Sequence, residues 1–358
     1  MIFRHKEKVL TTDMTQGNIP RLIINFALPL MMGNLFQQLY NTVDSIIVGN
    51  YVGKEALAAI GATSPFVNTL IGFFMGFATG GGILISQYFG AKNIRGVRKS
   101  IHTLILSTVI LGMIFTILGV RFNLTLLHMN STPHDVMEQA HIYLTIHFWG
   151  IIFLMLYNMG SGILRALGDS RRPVLFLIIS SLVNVVLDLL FVIGFKWEIA
   201  GAAYATMISQ AVSAFLVISV LFTGDINYRI KINELKIDFV ILRKILMLGV
   251  PGGIQSSLTS FSNVFVQGYI NKFGSDCVAG WACFNKIDQI CLLPVQSLQM
   301  STTTYVGQNY GAKNILRAKK GVWVSILISL ILAMTALIFM QILCTCEDFF
   351  PSGTRHGL

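Results

Sequence analysis

The sequence predicts an all-α polytopic membrane protein with about nine transmembrane helices. Of its 358 residues, 54% are hydrophobic and 12% are charged, whereas a soluble protein carries about 25% charged residues. The apolar residues form blocks of about twenty or more, long enough for a helix to cross a bilayer. This composition excludes an ordinary soluble enzyme, a disordered chain and a nucleic-acid-binding domain. We attribute the net charge of +10 to basic residues that contact anionic membrane lipids.

Nine apolar segments predict the spans. They are Leu22–Val52, Leu57–Phe89, Ile101–Val120, Ala140–Ser161, Val174–Phe195, Ala200–Phe222, Ile241–Ile270, Val278–Val306 and Val322–Leu343. Most of the 26 Lys and Arg residues fall in the N-terminal segment and in the even-numbered connections. Because basic connections stay on the cytoplasmic side, we expect a multi-pass protein of a cell membrane, the bacterial cytoplasmic membrane, with its N-terminus in the cytoplasm.

An internal repeat divides the chain. The motif Gln-Tyr-Phe-Gly-Ala-Lys-Asn-Ile at residues 87–94 recurs as Gln-Asn-Tyr-Gly-Ala-Lys-Asn-Ile at residues 308–315. An even number of predicted spans separates the copies, so the repeats are parallel and related by an axis along the membrane normal. The second copy has only three predicted spans, which makes the second lobe incomplete. The expected parts are a cytoplasmic segment 1–20, an N-lobe of six helices 21–223, a cytoplasmic linker 224–240, a partial C-lobe of three helices 241–345 and an atypical tail 346–358.

Ionisable side chains inside a membrane are costly and therefore mark functional sites. Asp44 lies within the first span, and Asn184 and Asp188 lie on one face of the fifth, four residues apart. Thr206 adds a hydroxyl in the sixth span and Tyr143 a phenol in the fourth. Because carboxylate, carbonyl and hydroxyl oxygens suit hard cations, these residues predict a proton or sodium site. The alternative is that they only hold helices together.

A polar stripe on the first span and scattered polar residues in the second half suggest a cavity between the lobes. The candidates for a substrate cavity or a gate are Pro29, Asn34, Gln38, Asn41, Tyr143, Gln255, Lys286 and Asp288. Pro29 lacks a backbone N–H and weakens the helical ladder, so it predicts either a bend that switches with protonation or a static kink. Arg165, just before a Gly168-Asp169 turn, is expected to anchor at lipid headgroups.

Several motifs together resemble the multidrug and toxic compound extrusion (MATE) family. They are Asn41-Thr42-Val43-Asp44, Leu164-Arg165-Ala166-Leu167-Gly168-Asp169, Asn184-Val185-Val186-Leu187-Asp188, Gly201-Ala202-Ala203-Tyr204-Ala205-Thr206 and the two copies of the repeat. The resemblance implies two six-helix lobes facing a V-shaped cavity, driven by H⁺ or Na⁺ entry. It assigns Asp44, Asn184, Asp188 and Thr206 to the cation site, Pro29 to a bending first helix and Tyr143 to its neighbourhood. Family members have twelve spans, so this chain is expected to be C-terminally shortened.

The predicted function is secondary active efflux of drugs or metabolites. The chain would antiport small organic, cationic substrates against H⁺ or Na⁺ by alternating access. No catalytic constellation, cofactor, metal site or nucleic-acid partner is expected. Two alternatives stay open: a flippase of related architecture for lipid-linked precursors, and a truncated membrane subunit that does not transport. The sequence leaves the oligomeric state open.

Overall fold

The computed structural model describes residues 12–129, 132–224, 228–270, 273 and 275–349. Over these residues the chain is almost entirely helical and contains no strand. The long helices are α1 Ile19–Ile47, α2 Lys54–Gly90, α3 Ile94–Met129, α4 His134–Ala166, α5 Arg171–Asp188, α6 Glu198–Thr223, α7 Phe239–Ile270, α8 Ser275–Gly311 and α9 Ile315–Phe349. The predicted all-α architecture is therefore confirmed.

Eight segments among the described residues are long and apolar enough to cross a membrane. The helix outside this set is α8, whose stretch from Gln296 to Gln308 is rich in Gln, Ser and Thr; its 37 residues nevertheless pack within the bundle. Some helices extend well beyond the predicted spans. For example, α3 runs over Ile94–Met129 rather than Ile101–Val120, because its polar end turns add length without adding hydropathy.

Local signals set the bounds of α1. The Asn18 side chain accepts a hydrogen bond from the Arg21 backbone N–H at 3.2 Å and caps the N-terminus, as short polar side chains do at helix starts. Pro29 lies inside this continuous helix and removes one ladder hydrogen bond. The helix continues as a π-helical turn over Val48–Val52 and stops at Gly53, whose φ of 123° suits glycine.

The two copies of the repeat meet where α2 crosses α8. A Cβ on Gly90 would overlap the backbone oxygen of Gln308, and a Cβ on Gly311 would overlap the backbone oxygen of Gln87. These contacts are reciprocal, as a two-fold relation between parallel repeats requires. The turns that follow also match, since Lys92 and Lys313 both adopt positive φ, 55° and 61°. The predicted parallel repeats are confirmed.

The connections that carry the basic residues gather at one end of the bundle. Arg98 pairs with Glu234 and Lys99 pairs with Asp238, each at 3.3 Å, which ties α3 to the linker before α7. The hydrogen bond from Lys231, with the charges of Lys231 and Arg98, holds the pKa of Glu234 below its usual range, so this tie persists to a more acidic pH than an unpaired glutamate would allow. We call this end the basic face; it comprises residues 12–18, 91–93, 167–170, 228–238 and 312–314.

A short N-terminal segment crosses the basic face beneath both lobes. The backbone N–H of Met14 donates to Gln308 Oε1 at 2.9 Å, and Asn309 Nδ2 donates to the Met14 carbonyl at 3.1 Å. Gln308 Nε2 also donates to the carbonyl of Ala166, at the end of α4. We call the two glycine contacts together with buried Met14 the basic-face seal; its residues are Met14, Gln87, Gly90, Gln308 and Gly311.

Two further helix pairs join the halves of the chain. The N-terminal half of α1 packs against α8 in an apolar cluster that includes Ile23, Phe26, Leu30 and Leu298. On the other side α2 crosses α7 so closely that a Cβ on Gly76 would lie 2.6 Å from the Gly253 Cα. The lobe boundaries at 21–223 and 241–345 stay a prediction, with these pairs as the contacts between them.

Candidate functional site

The structure brings the two predicted carboxylates together. Asp44 near the end of α1 and Asp188 at the end of α5 lie within hydrogen-bonding reach of each other. Asp188 is fully buried and Asp44 is mostly covered by protein. A π-helical turn, Leu189–Gly194, follows Asp188 directly, and the other π-helical turn begins four residues after Asp44. Such turns inside helices are frequent at functional sites because they displace side chains from regular positions.

Unpaired acceptor atoms converge at this pair. Among the described residues, Asp44 Oδ1 and both carboxylate oxygens of Asp188 are buried without a hydrogen-bond partner. Both polar atoms of the Asn184 amide, one turn before Asp188, are also buried without a hydrogen-bond partner among the described residues. Buried polar atoms are normally paired, and leaving one unpaired is costly. These oxygens are therefore suited to accept a shared proton or to coordinate a small hard cation.

Two phenols complete the surroundings of the carboxylates. Tyr40 on α1 and Tyr143 on α4 are half-buried and lie close enough to interact electrostatically with both acids. The Tyr143 ring stacks on the His147 ring with a centroid separation of 6.3 Å. Sequence reasoning proposed Tyr143 but missed Tyr40, although Tyr40 lies four residues before Asp44 and thus on the same helix face.

Two members of the polar stripe join α1 to α8. Asn34 Nδ2 donates to Ser297 Oγ at 3.2 Å, and Gln38 Nε2 donates to Gln289 Oε1 at 3.0 Å. These bonds are the helix-holding interactions that the alternative interpretation described, and they connect the helix of Asp44 to the second half of the chain.

Among the described residues, the other predicted site residues form no hydrogen bond with the carboxylates. In the part of the chain that the structure describes, the Thr206 hydroxyl bonds to neither acid. Asn41 and Gln255 lie on helix surfaces that protein does not cover, and Asp288 is partly covered on α8. The side chain of Lys286 lies outside the described residues.

A polar cavity of about 130 Å³ leads from the site toward the basic face. Its lining comes mainly from α1, α4, α5 and α6 and includes Tyr40 and Asn184 at the carboxylate end. Arg165 lines the same cavity, so the expectation that it anchors at headgroups is wrong. Its helix ends one residue later, at Ala166, where the Gly168 turn begins, and this directs the long side chain back into the bundle.

A larger and more apolar groove of about 1090 Å³ lies between α2, α7, α8 and α9. Gln87, Gln299 and Thr303 are among its few polar lining residues. Among the residues that the structure describes, none of the predicted cavity or gate residues lines it. The groove is thus separate from the carboxylate site, which lies between α1, α4 and α5.

Comparison with known proteins identifies the family. A model described as MatE matches residues 29–190 and 251–346. The chain belongs to the MATE family. This MATE chain is 32% identical over 308 residues to the probable multidrug resistance protein YpnP of Bacillus subtilis (strain 168), covering 84% of the chain and 67% of that relative. It is 30% identical over 347 residues to the probable multidrug resistance protein YoeA of the same organism, covering 93% and 74%.

The solved structures agree with this assignment. The outward-facing structure of a multidrug resistance MATE family transporter of the MOP superfamily matches with a TM-score of 0.88 at 25% identity. The match covers 95% of this chain and 75% of that one. The MATE chain is accordingly a multi-pass membrane protein of a bacterial family of multidrug efflux transporters.

Proposed function

We propose that the chain is a secondary active exporter that exchanges small organic, cationic substrates for H⁺ or Na⁺ by alternating access, with no enzymatic step. The observation that carries the proposal is the contact between Asp44 and Asp188, whose buried oxygens have no hydrogen-bond partner among the described residues. Two such acids can hold one shared proton or one small cation, and they repel each other when that ion leaves. Loading and unloading therefore change the local charge by one unit.

The position of Asp44 on α1 links this charge change to the rest of the molecule. The same helix carries Asn34 and Gln38, which bond to Ser297 and Gln289 on α8. Pro29 lies between these residues and the basic face and leaves one ladder bond missing. We infer that α1 bends near Pro29 when the carboxylates change their load, and that this bend alters the contacts between α1 and α8.

In this structure the basic-face seal closes the interface between the two halves of the chain at the basic face. Following the rule that basic connections are cytoplasmic, we assign the basic face and the N-terminus to the cytoplasm. Substrate from the cytoplasm then requires the seal to part, while release on the opposite side requires it to be closed. Alternating access accordingly includes the parting of the contact between α2 and α8 in the state that takes up substrate.

The function is tested by measuring accumulation of a fluorescent organic cation, ethidium, in bacteria that lack their own drug pumps. Cells expressing the full chain should accumulate less dye than cells with an empty vector. A protonophore applied in Na⁺-free medium should abolish the difference if H⁺ is the coupling ion; Na⁺ removal alone should abolish it if Na⁺ is. Equal accumulation in cells that contain well-inserted protein would contradict transport and favour the non-transporting subunit.

Tyr40→Phe should weaken coupling-ion binding while leaving the fold intact, because it removes only the hydroxyl beside the carboxylates. Hydroxyl oxygens suit hard cations, so losing the one beside the pair should raise the ion concentration for half-maximal export severalfold. The measurement is dye export by proteoliposomes over a range of H⁺ or Na⁺ concentrations. Tyr51→Phe, at an exposed tyrosine beyond the site, is the matched control. Equal ion dependence in both variants would remove Tyr40 from the site.

A further inference from the structure

The polar cavity between α1, α4, α5 and α6 runs along α5. On α5 its lining extends from Pro173 near the basic face to Asn184, a rise of about 16 Å at roughly 1.5 Å per residue. Asp188 follows one helical turn later. The cavity therefore connects the neighbourhood of the carboxylate pair with the level of the α4–α5 turn on the basic face. We call it the N-lobe passage.

The lining of the N-lobe passage is suited to water. Its middle section carries hydroxyl and amide groups from three helices, namely Asn158, Ser180, Ser181, Ser209, Gln210 and Ser213. Empty cavities in proteins are apolar, whereas polar cavities hold ordered water, and one water needs only about 10–15 Å³ of this kind of volume. At about 130 Å³ the passage has room for several waters in a row, and such a row would conduct ions unless something opposed them.

Arg165 supplies an opposing charge at the end near the basic face. Within the described residues its guanidinium forms no ion pair, and the Tyr157 phenol lines the same cavity. Asp169, four residues later, is engaged elsewhere. It pairs with Arg172 at 3.4 Å and accepts the backbone N–H groups of Arg171 and Arg172. Among the described residues, no carboxylate thus neutralises the positive charge in the passage.

Resting on the proposed function, we propose that the N-lobe passage is water-filled and that Arg165 is its electrostatic barrier, which keeps cytoplasmic cations from reaching the carboxylate pair without a transport cycle. A fixed arginine in a narrow hydrated pore excludes cations in this way. The barrier keeps ion movement coupled to drug movement, because ions can then reach the pair only through the conformational cycle. Arg165 touches neither carboxylate, so its role is to control access and not to bind the coupling ion.

The test measures passive ion leak without drug. Full-length protein in proteoliposomes containing a pH dye is placed under a K⁺ and valinomycin potential, and H⁺ uptake is recorded; ²²Na⁺ uptake is measured in parallel. Arg165→Gln should raise the leak of the coupling ion severalfold, whereas Arg165→Lys, which keeps the charge, should leak as little as the unaltered protein. Arg95→Gln, at an exposed arginine in the first turn of α3 beside the basic face, is the matched control and should not leak.

A second-site variant separates a barrier from a general loss of packing. Among the described residues, Ser181 Oγ bonds only within its own helix, to the carbonyl of Leu177, so Ser181→Leu fills the passage without breaking a hydrogen bond between helices. Adding it to Arg165→Gln should return the leak to its original level. If Arg165→Gln leaks no more than the unaltered protein, the barrier is overturned. If drug export by that variant still follows the ion gradient, the proposed function stands.

Water in the passage can be tested without any variant. Hydroxyl-radical footprinting labels tyrosines that contact water. Tyr157, which lines the passage, should be labelled readily, whereas Tyr305, fully buried between α1, α8 and α9, should not. A Tyr157 as unreactive as Tyr305 would show the passage to be dry and would overturn the proposal even if Arg165→Gln failed to fold.

Discussion

Asp188→Asn is expected to raise drug accumulation to the level of cells without the transporter. The variant keeps the size of the side chain and removes its ability to share a proton or cation with Asp44. Losing one partner of a desolvated charge contact costs about 2–5 kcal/mol, which is more than a tenfold loss of affinity for the coupling ion. Asp44→Asn should have the same effect, because the two acids act as one site.

The matched control is Asp238→Asn on the basic face. Asp238 is also a carboxylate with a nearby partner, Lys99 at 3.3 Å, but it lies far from the site in the linker before α7. Its variant should export as the unaltered protein does. Dye accumulation at equal amounts of membrane-inserted protein is the measurement. If Asp188→Asn cells still exclude dye and still respond to the ion gradient, the carboxylate pair is not the coupling site.

The carboxylate pair was predictable because charge inside an apolar sequence stands out. Asp44 and Asp188 are acids within blocks of hydrophobic residues, and the cost of burying a charge made each a candidate on its own. Their meeting follows from the packing of α1 against α5, which the resemblance implied. The parallel repeat was predictable because its motif stands out in the sequence in the same way. Two copies with the same orientation in the membrane leave few packing arrangements other than a two-fold one.

Other features depended on partners that are distant in the sequence. Gln38 bonds to a residue 251 positions away, and no local pattern selects Gln289 among the polar residues of α8. Arg165 was placed at headgroups because it ends a span, which is where arginines usually lie. The Arg165 side chain instead lines the cavity that α4, α5 and α6 leave between them, and a sequence pattern does not show that cavity. Hydropathy likewise cannot show that Met14 is buried in the basic-face seal against Gln308. Met14 belongs to a short segment outside any predicted span.

Gly90→Ala is expected to force the basic-face seal open. A methyl group at this position would overlap the backbone oxygen of Gln308, and backbone cannot rotate away as a side chain could, so α2 and α8 must separate. Overpacking a tight contact costs typically about 1–3 kcal/mol, and here the cost falls on the closed arrangement alone. By the reciprocity of the repeat, Gly311→Ala, which meets the backbone oxygen of Gln87, should act in the same way.

Opening is read from the reactivity of a cysteine at position 86, placed in a cysteine-free background by Ser86→Cys. Ser86 is buried in the seal region, where its side chain faces Gly307 of α8. With Gly90→Ala, a thiol reagent applied to the basic face in inside-out vesicles should react much faster, and dye export should fall because the closed state is lost. Gly82→Ala on the same helix is the control, since its Cβ would lie at an ordinary 3.7 Å from the Gly162 oxygen. Slow labelling and full export in both glycine variants of the seal would mean that the contact between α2 and α8 does not part during transport, and the gate would have to lie elsewhere along the interface between the two halves.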